Sequence, residues 1–125
     1  MTNYTIGDFL IRFKNAAFAG KGEFEYDSSK FVKAAAKVLK KMGYLESVAE
    51  KGGALEMKIA RHKKASVLKE LKIMSRPGLR VYMSTTDLTK HKGISRYILT
   101  TPKGVMSSGE AVKKNLGGEV IVEIW

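Results

Sequence analysis

The chain has 125 residues, enough for one modest core or two very small ones but not for a large multidomain enzyme. Its 44% hydrophobic content argues against disorder along its length, and the lack of cysteine removes disulfides, thiolate metal sites and cysteine nucleophiles together. Lys and Arg number 23 against 12 acidic residues, and the resulting net charge of +11 implies a polyanionic partner, nucleic acid ahead of a membrane surface.

The first element reads as a helix. Thr5 is placed to cap it, Asp8 suits its first turn, and Ile6, Phe9, Leu10, Phe13 and Ala17 recur at helical spacing until Gly20 and Gly22. A short strand is expected at Glu23–Tyr26. A second helix follows the caps Asp27 and Ser28, with Phe31, Ala34, Ala35, Val38, Leu39 and Met42 as its apolar stripe and Gly43 as its C′ residue. Period two then takes over: Tyr44–Glu50 and Leu55–Arg61 flank Lys51–Gly52–Gly53–Ala54 and predict a β-hairpin. Periodicity alone leaves Lys63–Met74 open between helix and strand.

After Pro77–Gly78 the pattern is β-rich, with strands expected at Leu79–Ser84 and Ile94–Thr101. Ser107–Ser108–Gly109–Glu110 has capping-box spacing and predicts a short helix to about Lys114. Gly117–Gly118 interrupts the chain before a final strand in which Val120, Val122 and Ile124 alternate. The predicted class is α+β with two small domains. Residues 1–72 form an N-terminal α/β domain of two helices and a short sheet, and residues 73–125 a mostly antiparallel β domain with one short helix.

Charge is unevenly divided. Residues 1–60 hold 10 basic and 7 acidic side chains, a net of +3, whereas residues 61–125 hold 13 and 5, a net of +8. No apolar run approaches the roughly 20 residues of a membrane span, and the MTNYTIGDFLIRF opening has no basic segment leading into an apolar one, so a cytoplasmic protein is expected.

Catalysis finds no support. His62 and His91, the two histidines, sit in the basic clusters Arg61–Lys64 and Lys90–Lys92 and read as surface residues. No metal-ligand spacing, phosphate-binding glycine loop or nucleophile elbow is present, so no cofactor, metal or small-molecule substrate is expected. Binding residues are easier to find. Thr100–Thr101–Pro102–Lys103–Gly104 offers hydroxyls, a charge and a glycine for close approach, and the amides near Ser107 and Ser108 suit the same anion. A solvated loop and a helix cap explain the same residues. Gly117–Gly118–Glu119 is either a second contact or a plain turn. Tyr82 and Tyr97 suit either stacking on unpaired bases or packing, and Arg76 and Arg80 suit phosphates.

The run Ser75–Arg76–Pro77–Gly78–Leu79–Arg80–Val81–Tyr82 and the C-terminal TPKGVMSSGEAVKKNLGGEVIVEIW resemble the eighth protein family of the small ribosomal subunit. Ile6–Gly7–Asp8, Arg12, Asn15–Ala16, Ser29–Lys30 and Gly43–Tyr44 extend the similarity over nearly the whole chain. The resemblance implies a two-domain α/β protein of the ribosome. Its expected partners are the central domain of small-subunit ribosomal RNA, which it binds early in assembly, and neighbouring small-subunit proteins. In some bacteria, family members also repress ribosomal-protein messages. A general basic nucleic-acid-binding protein and a small phosphate-handling enzyme are the alternative readings.

The resemblance favours a strand over Val67–Met74. It also carries the family's RNA site onto Thr100–Gly104 and Gly118–Glu119, with Tyr82 near them. Three departures stand out. Thr100–Thr101–Pro102 replaces the usual Ser-Thr-Ser, and the proline removes a hydroxyl and a backbone donor. Gly93–Ile94–Ser95 replaces a Gly-x-Gly, and Ser108 and Val112 stand where the family has an acidic and a basic residue.

Overall fold

A computed structural model describes residues 4–63, 65–91 and 93–125; Lys64 and Lys92 of the two basic clusters lie outside that set. Helix α1 (Tyr4–Phe18) buries Ile6, Phe9, Leu10, Phe13, Ala16 and Ala17, the expected stripe and one more residue. It begins before Thr5, which therefore lies within the first turn instead of capping it, and Asp8 falls beyond that turn. Its end is a Schellman cap, with Gly20 at φ 78 and the Lys21 N–H donating to the Ala16 carbonyl at 3.0 Å.

After strand β1 (Glu23–Asp27), helix α2 (Lys30–Lys41) is capped by Ser29, whose Oγ accepts from the Val32 N–H at 3.2 Å. The cap lies one residue beyond the expected pair, because the Ser28 hydroxyl donates instead to Glu50 at 2.7 Å. Val32 and Ala36 are buried where the periodicity favoured Phe31, Ala34 and Met42. The reason is tertiary: α2 packs against strand β2 (Leu45–Lys51), α1 and strand β9 (Gly104–Ser107), so a wider face is covered than one stripe supplies.

Strands β2 and β3 (Ala54–Ile59) form the expected hairpin, and Gly52 and Gly53 both take positive φ, 56 and 86, as a type I′ turn requires. With β1 they make an antiparallel sheet of order β1-β3-β2. A two-residue pair, β4 (Arg61–His62) and β5 (Ala65–Ser66), leads to β6 (Leu71–Ile73), which supplies the expected strand in shortened form.

The second sheet, also antiparallel, has the order β6-β10-β8-β9, formed with β8 (Arg96–Thr101) and β10 (Gly118–Ile124), while β7 (Tyr82–Met83) pairs with β10 beyond β6. Two expectations need correction here. The strand expected over Leu79–Ser84 shrinks to β7, because Leu79 closes a turn and Ser84 caps helix α3 (Thr85–Lys90). That makes two short helices in the C-terminal half instead of one, α3 and α4 (Ser108–Lys113). The missed signal was Ser84-x-x-Asp87, a complete capping box in which both reciprocal bonds measure 3.1 Å.

The larger core joins α1, α2 and the first sheet to Leu71, Ile98, Ile121, Val122 and Ile124 of the second. A smaller core on the other face of the second sheet holds Leu88, Tyr97, Leu99, Met106, Ala111 and Val120. A β-bulge in β10 allows this. Val120 opposes Leu99 and Val122 opposes Ile98, so Ile121 is the extra residue. Val120 thus faces the smaller core while Ile121, Val122 and Ile124 face the larger, and the simple alternation expected for Val120, Val122 and Ile124 is broken.

Candidate nucleic-acid interface

Glu119, near the start of β10, pairs with Tyr82 on one side and Thr100 on the other. Residues directly opposite one another share a face, so Tyr82, Glu119 and Thr100 form one row across three strands. Tyr82 is 69% exposed. Arg80 Nη1 lies 3.3 Å from Glu119 Oε2, with side-chain exposures of 28% and 12%, so the carboxylate is held against the guanidinium with little solvent around it. The Thr100 hydroxyl oxygen is shielded from solvent and has no hydrogen-bond partner among the described residues.

The expected loop at Thr100–Gly104 is the end of β8, a Pro102–Lys103 tip and the first residue of β9. Thr101 is buried. Its hydroxyl donates to the Gly104 carbonyl at 2.8 Å and accepts from the Lys103 N–H at 3.1 Å, so it shapes the turn from inside. Pro102 and Lys103 stand exposed at the tip. Gly104 serves the turn directly, since its φ of 113 is strained for any residue with a Cβ.

The two glycines before Glu119 answer to the protein itself. A Cβ on Gly118 would run into the Thr100 carbonyl, and one on Gly117 would sit 2.7 Å from the Met83 carbonyl oxygen. Close approach is therefore by β8 and by the β7–α3 junction.

Arg76 and Arg80 flank a tight turn in which Arg76 and Leu79 exchange backbone hydrogen bonds of 2.8 and 2.9 Å, with Pro77 and positive-φ Gly78 between them. This is the residue order of a type II turn. Ser75 anchors the base of that loop and was not singled out from the sequence. Its buried Oγ donates to the Val120 carbonyl at 2.6 Å and accepts from the Val81 N–H at 2.9 Å, which ties both ends of the loop to β10. Its only sequence signal was a serine beside Arg–Pro–Gly.

The other candidates are taken up by the fold. Ser107 caps α4 through the Glu110 N–H at 3.3 Å, and the Ser108 Oγ accepts from the Tyr97 N–H at 3.1 Å. Only half of the expected capping box forms, because the Glu110 carboxylate turns to Lys41 at 3.3 Å. Tyr97 is no stacking platform: it is buried, and burial first, then the Glu123 charge, raises its pKa. Its Oη lies 3.3 Å from His91 Nδ1, His91 Nε2 lies 3.1 Å from the Ser95 carbonyl, and the Ser95 Oγ donates to Glu123 at 2.6 Å. A carbonyl can only accept, so His91 Nε2 carries a proton. His91 is therefore a half-buried structural residue, while His62 is exposed as expected. Among the described residues no His, Asp or Glu group is arranged to hold a metal, and no helix is long and apolar enough to cross a membrane.

The arrangement defines a basic α+β binding protein whose exposed charges and rings gather at one end of a sheet. The chain belongs to the ribosomal protein S8 family, which it matches over residues 4–125. It is 36% identical over 121 residues to the small ribosomal subunit protein uS8 of Nitratidesulfovibrio vulgaris (strain DSM 19637 / Miyazaki F), covering 96% of each chain. It is 37% identical over 131 residues to the uS8 protein of Solibacter usitatus (strain Ellin6076), covering 100% of each. It is 39% identical over 125 residues to that of Halorhodospira halophila (strain DSM 244 / SL1), covering 96% of this chain and 95% of the relative. Membership makes it a structural, non-enzymatic ribosomal protein of the small subunit, located in the cytoplasm within the ribosome.

Proposed function

We propose that the chain binds the central domain of small-subunit ribosomal RNA directly and helps organise it during assembly, beside neighbouring small-subunit proteins. The observation that carries this reading is convergence: Arg76–Tyr82, Pro102–Lys103 and Gly118–Glu119, far apart in sequence, meet at one end of the second sheet. Lys103 and Arg76 attract phosphates, and exposed Tyr82 stacks on an unpaired base. Glu119, held by Arg80, accepts at a base or sugar edge, and Thr100, whose hydroxyl is enclosed, supports it from the neighbouring strand. Thr101, Pro102, Gly104 and Gly118 contribute shape, fixing where those groups stand.

We also read residues 1–72 and 73–125 as two domains sharing the larger core. The smaller core supports this division, since all of its members lie beyond residue 73.

The test compares the central-domain RNA fragment with a scrambled duplex over a salt series. Tight binding to the fragment at salt that releases the duplex supports specific recognition, whereas equal affinities falling together leave a general basic binder. Fragment binding by Thr101→Ala plus Lys103→Ala as tight as wild type, at matched salt, would sink the proposed site.

A further inference from the structure

Strand β6 is an edge of the second sheet, hydrogen-bonded to β10 on one side. The Met74 N–H donates to the Ile121 carbonyl and the Trp125 N–H to the Glu70 carbonyl, so residues 70, 72 and 74 turn their peptide groups inward. Those of Leu71 and Ile73 turn to the open side. The Glu70 carboxylate accepts from the Leu71 N–H at 2.8 Å, and beyond it partly buried Ile73, packed against the larger core, also lines the open side.

A groove runs along this edge, with α1 as its other bank. It consists of two adjoining clefts of about 320 and 570 Å³ that share Ile11, Ile73 and Arg76. Ile11 is 42% exposed, on a helix whose Ile6, Phe9, Leu10 and Phe13 are fully buried. Gly7 lines the same groove. A helical glycine costs stability relative to alanine, yet a Cβ here would meet nothing within 4 Å. No packing among the described residues requires this glycine, and its effect is to leave the helix backbone open to an approaching group.

Charge narrows the occupant. Lys14 pairs with Glu70 and Arg80 with Glu119, whereas Arg76 meets no carboxylate among the described residues. Arg76 lines both clefts.

We propose that the groove between α1 and the open edge of β6 docks an extended, carboxylate-bearing segment of a neighbouring small-subunit protein. The segment adds to β6 through its backbone, places an apolar side chain between Ile11 and Ile73, and pairs a carboxylate with Arg76. A nucleic-acid strand fits less well, because it would lay phosphates over two isoleucines. The proposal rests on membership in the small subunit and shares only Arg76 with the RNA site proposed above, giving it to a carboxylate of the docked segment in the assembled subunit.

The test uses small subunits assembled with Ile11→p-benzoylphenylalanine, with Phe18→p-benzoylphenylalanine as an off-groove control. Irradiation should link position 11 to one small-subunit protein, at a peptide carrying Asp or Glu. Gly7→Leu, which fills the groove, should abolish that link without changing the isolated protein's affinity for the central-domain RNA fragment. Loss of fragment binding would implicate the RNA reading instead. In wild-type subunits the Ile73 amide should exchange more slowly than in the free protein, a readout that survives if the Gly7 variant fails to assemble. A crosslink to ribosomal RNA, no crosslink, or an Ile73 amide that exchanges equally in both states overturns the proposal.

Discussion

Arg80 and Glu119 form a 3.3 Å ion pair that joins the arginine loop to the strand carrying the second half of the candidate site. Because both side chains are partly withdrawn from solvent, the pair is worth more than an exposed one, on the order of 1 kcal/mol. Arg80→Ala alone should cost about 1–3 kcal/mol, since it removes a charge-assisted hydrogen bond from a mostly buried carboxylate. A double-mutant cycle with Glu119→Gln, read by urea unfolding, checks this. Additive single effects would mean the two groups do not interact.

Thr101 separates shape from charge. Thr101→Val keeps the volume but removes both turn bonds, and should cost about 1–2 kcal/mol of stability. Fragment affinity should fall while the slope of log affinity against log salt stays unchanged, because no charge is lost. Lys103→Ala should lower affinity and reduce that slope by about 0.7–0.9. Titrations at four salt concentrations distinguish the two behaviours.

Gly118 and Gly109 make a matched pair. Gly118→Ala drives a methyl into the Thr100 carbonyl and should destabilise by about 1–3 kcal/mol or more, through the strand shift it forces. Gly109 lies in α4 with open space around its Cβ position, and Gly109→Ala should stabilise by about 0.4–1 kcal/mol. Thermal melts of the two variants should move in opposite directions.

Three exposed carboxylates set the acid limit. The Lys14 ammonium, and then the Leu71 amide, hold Glu70 below the usual range; Lys33 and Ser28 do the same for Glu50, and the Ser84 backbone and side chain for Asp87. Each folded pKa lies below the unfolded value of about 4.3 for Glu or 3.9 for Asp. Their stabilisation is therefore fully present above those values and lost as pH falls through the lowered folded ones. The urea midpoint should be level from about pH 7 to 5 and drop below about pH 4. Added salt should shrink the contributions of Glu50 and Glu70 more than that of Asp87, whose partner is a backbone amide.

Much of the fold was legible where local chemistry decides it. The Gly52–Gly53 turn, the Gly43 cap and the α1 stripe follow from φ preferences and helical periodicity, which need only near neighbours. The candidate site was legible as residue types, and the family resemblance sharpened it. Which atoms are presented was not. Thr101 and Thr100 look alike in sequence, yet one hydroxyl closes a turn and the other is enclosed without a partner among the described residues. Gly117–Gly118 looked open to a ligand, but the space beside those residues is filled by the protein's own backbone. Tyr82 and Tyr97 were equal candidates until strand pairing exposed one and buried the other.

The sequence by itself determined the α+β class, most of the turns and caps, the basic C-terminal half and the family, because each rests on residues near one another in the chain or on order along it. Only the tertiary structure decided that β10 runs between β8 and the β6–β7 side, that its bulge divides Val120 from Ile121 and Val122, and that Ser75 anchors the arginine loop. Those features depend on pairings between segments about 20 to 50 residues apart, whose register is set by long-range burial that local pattern does not encode.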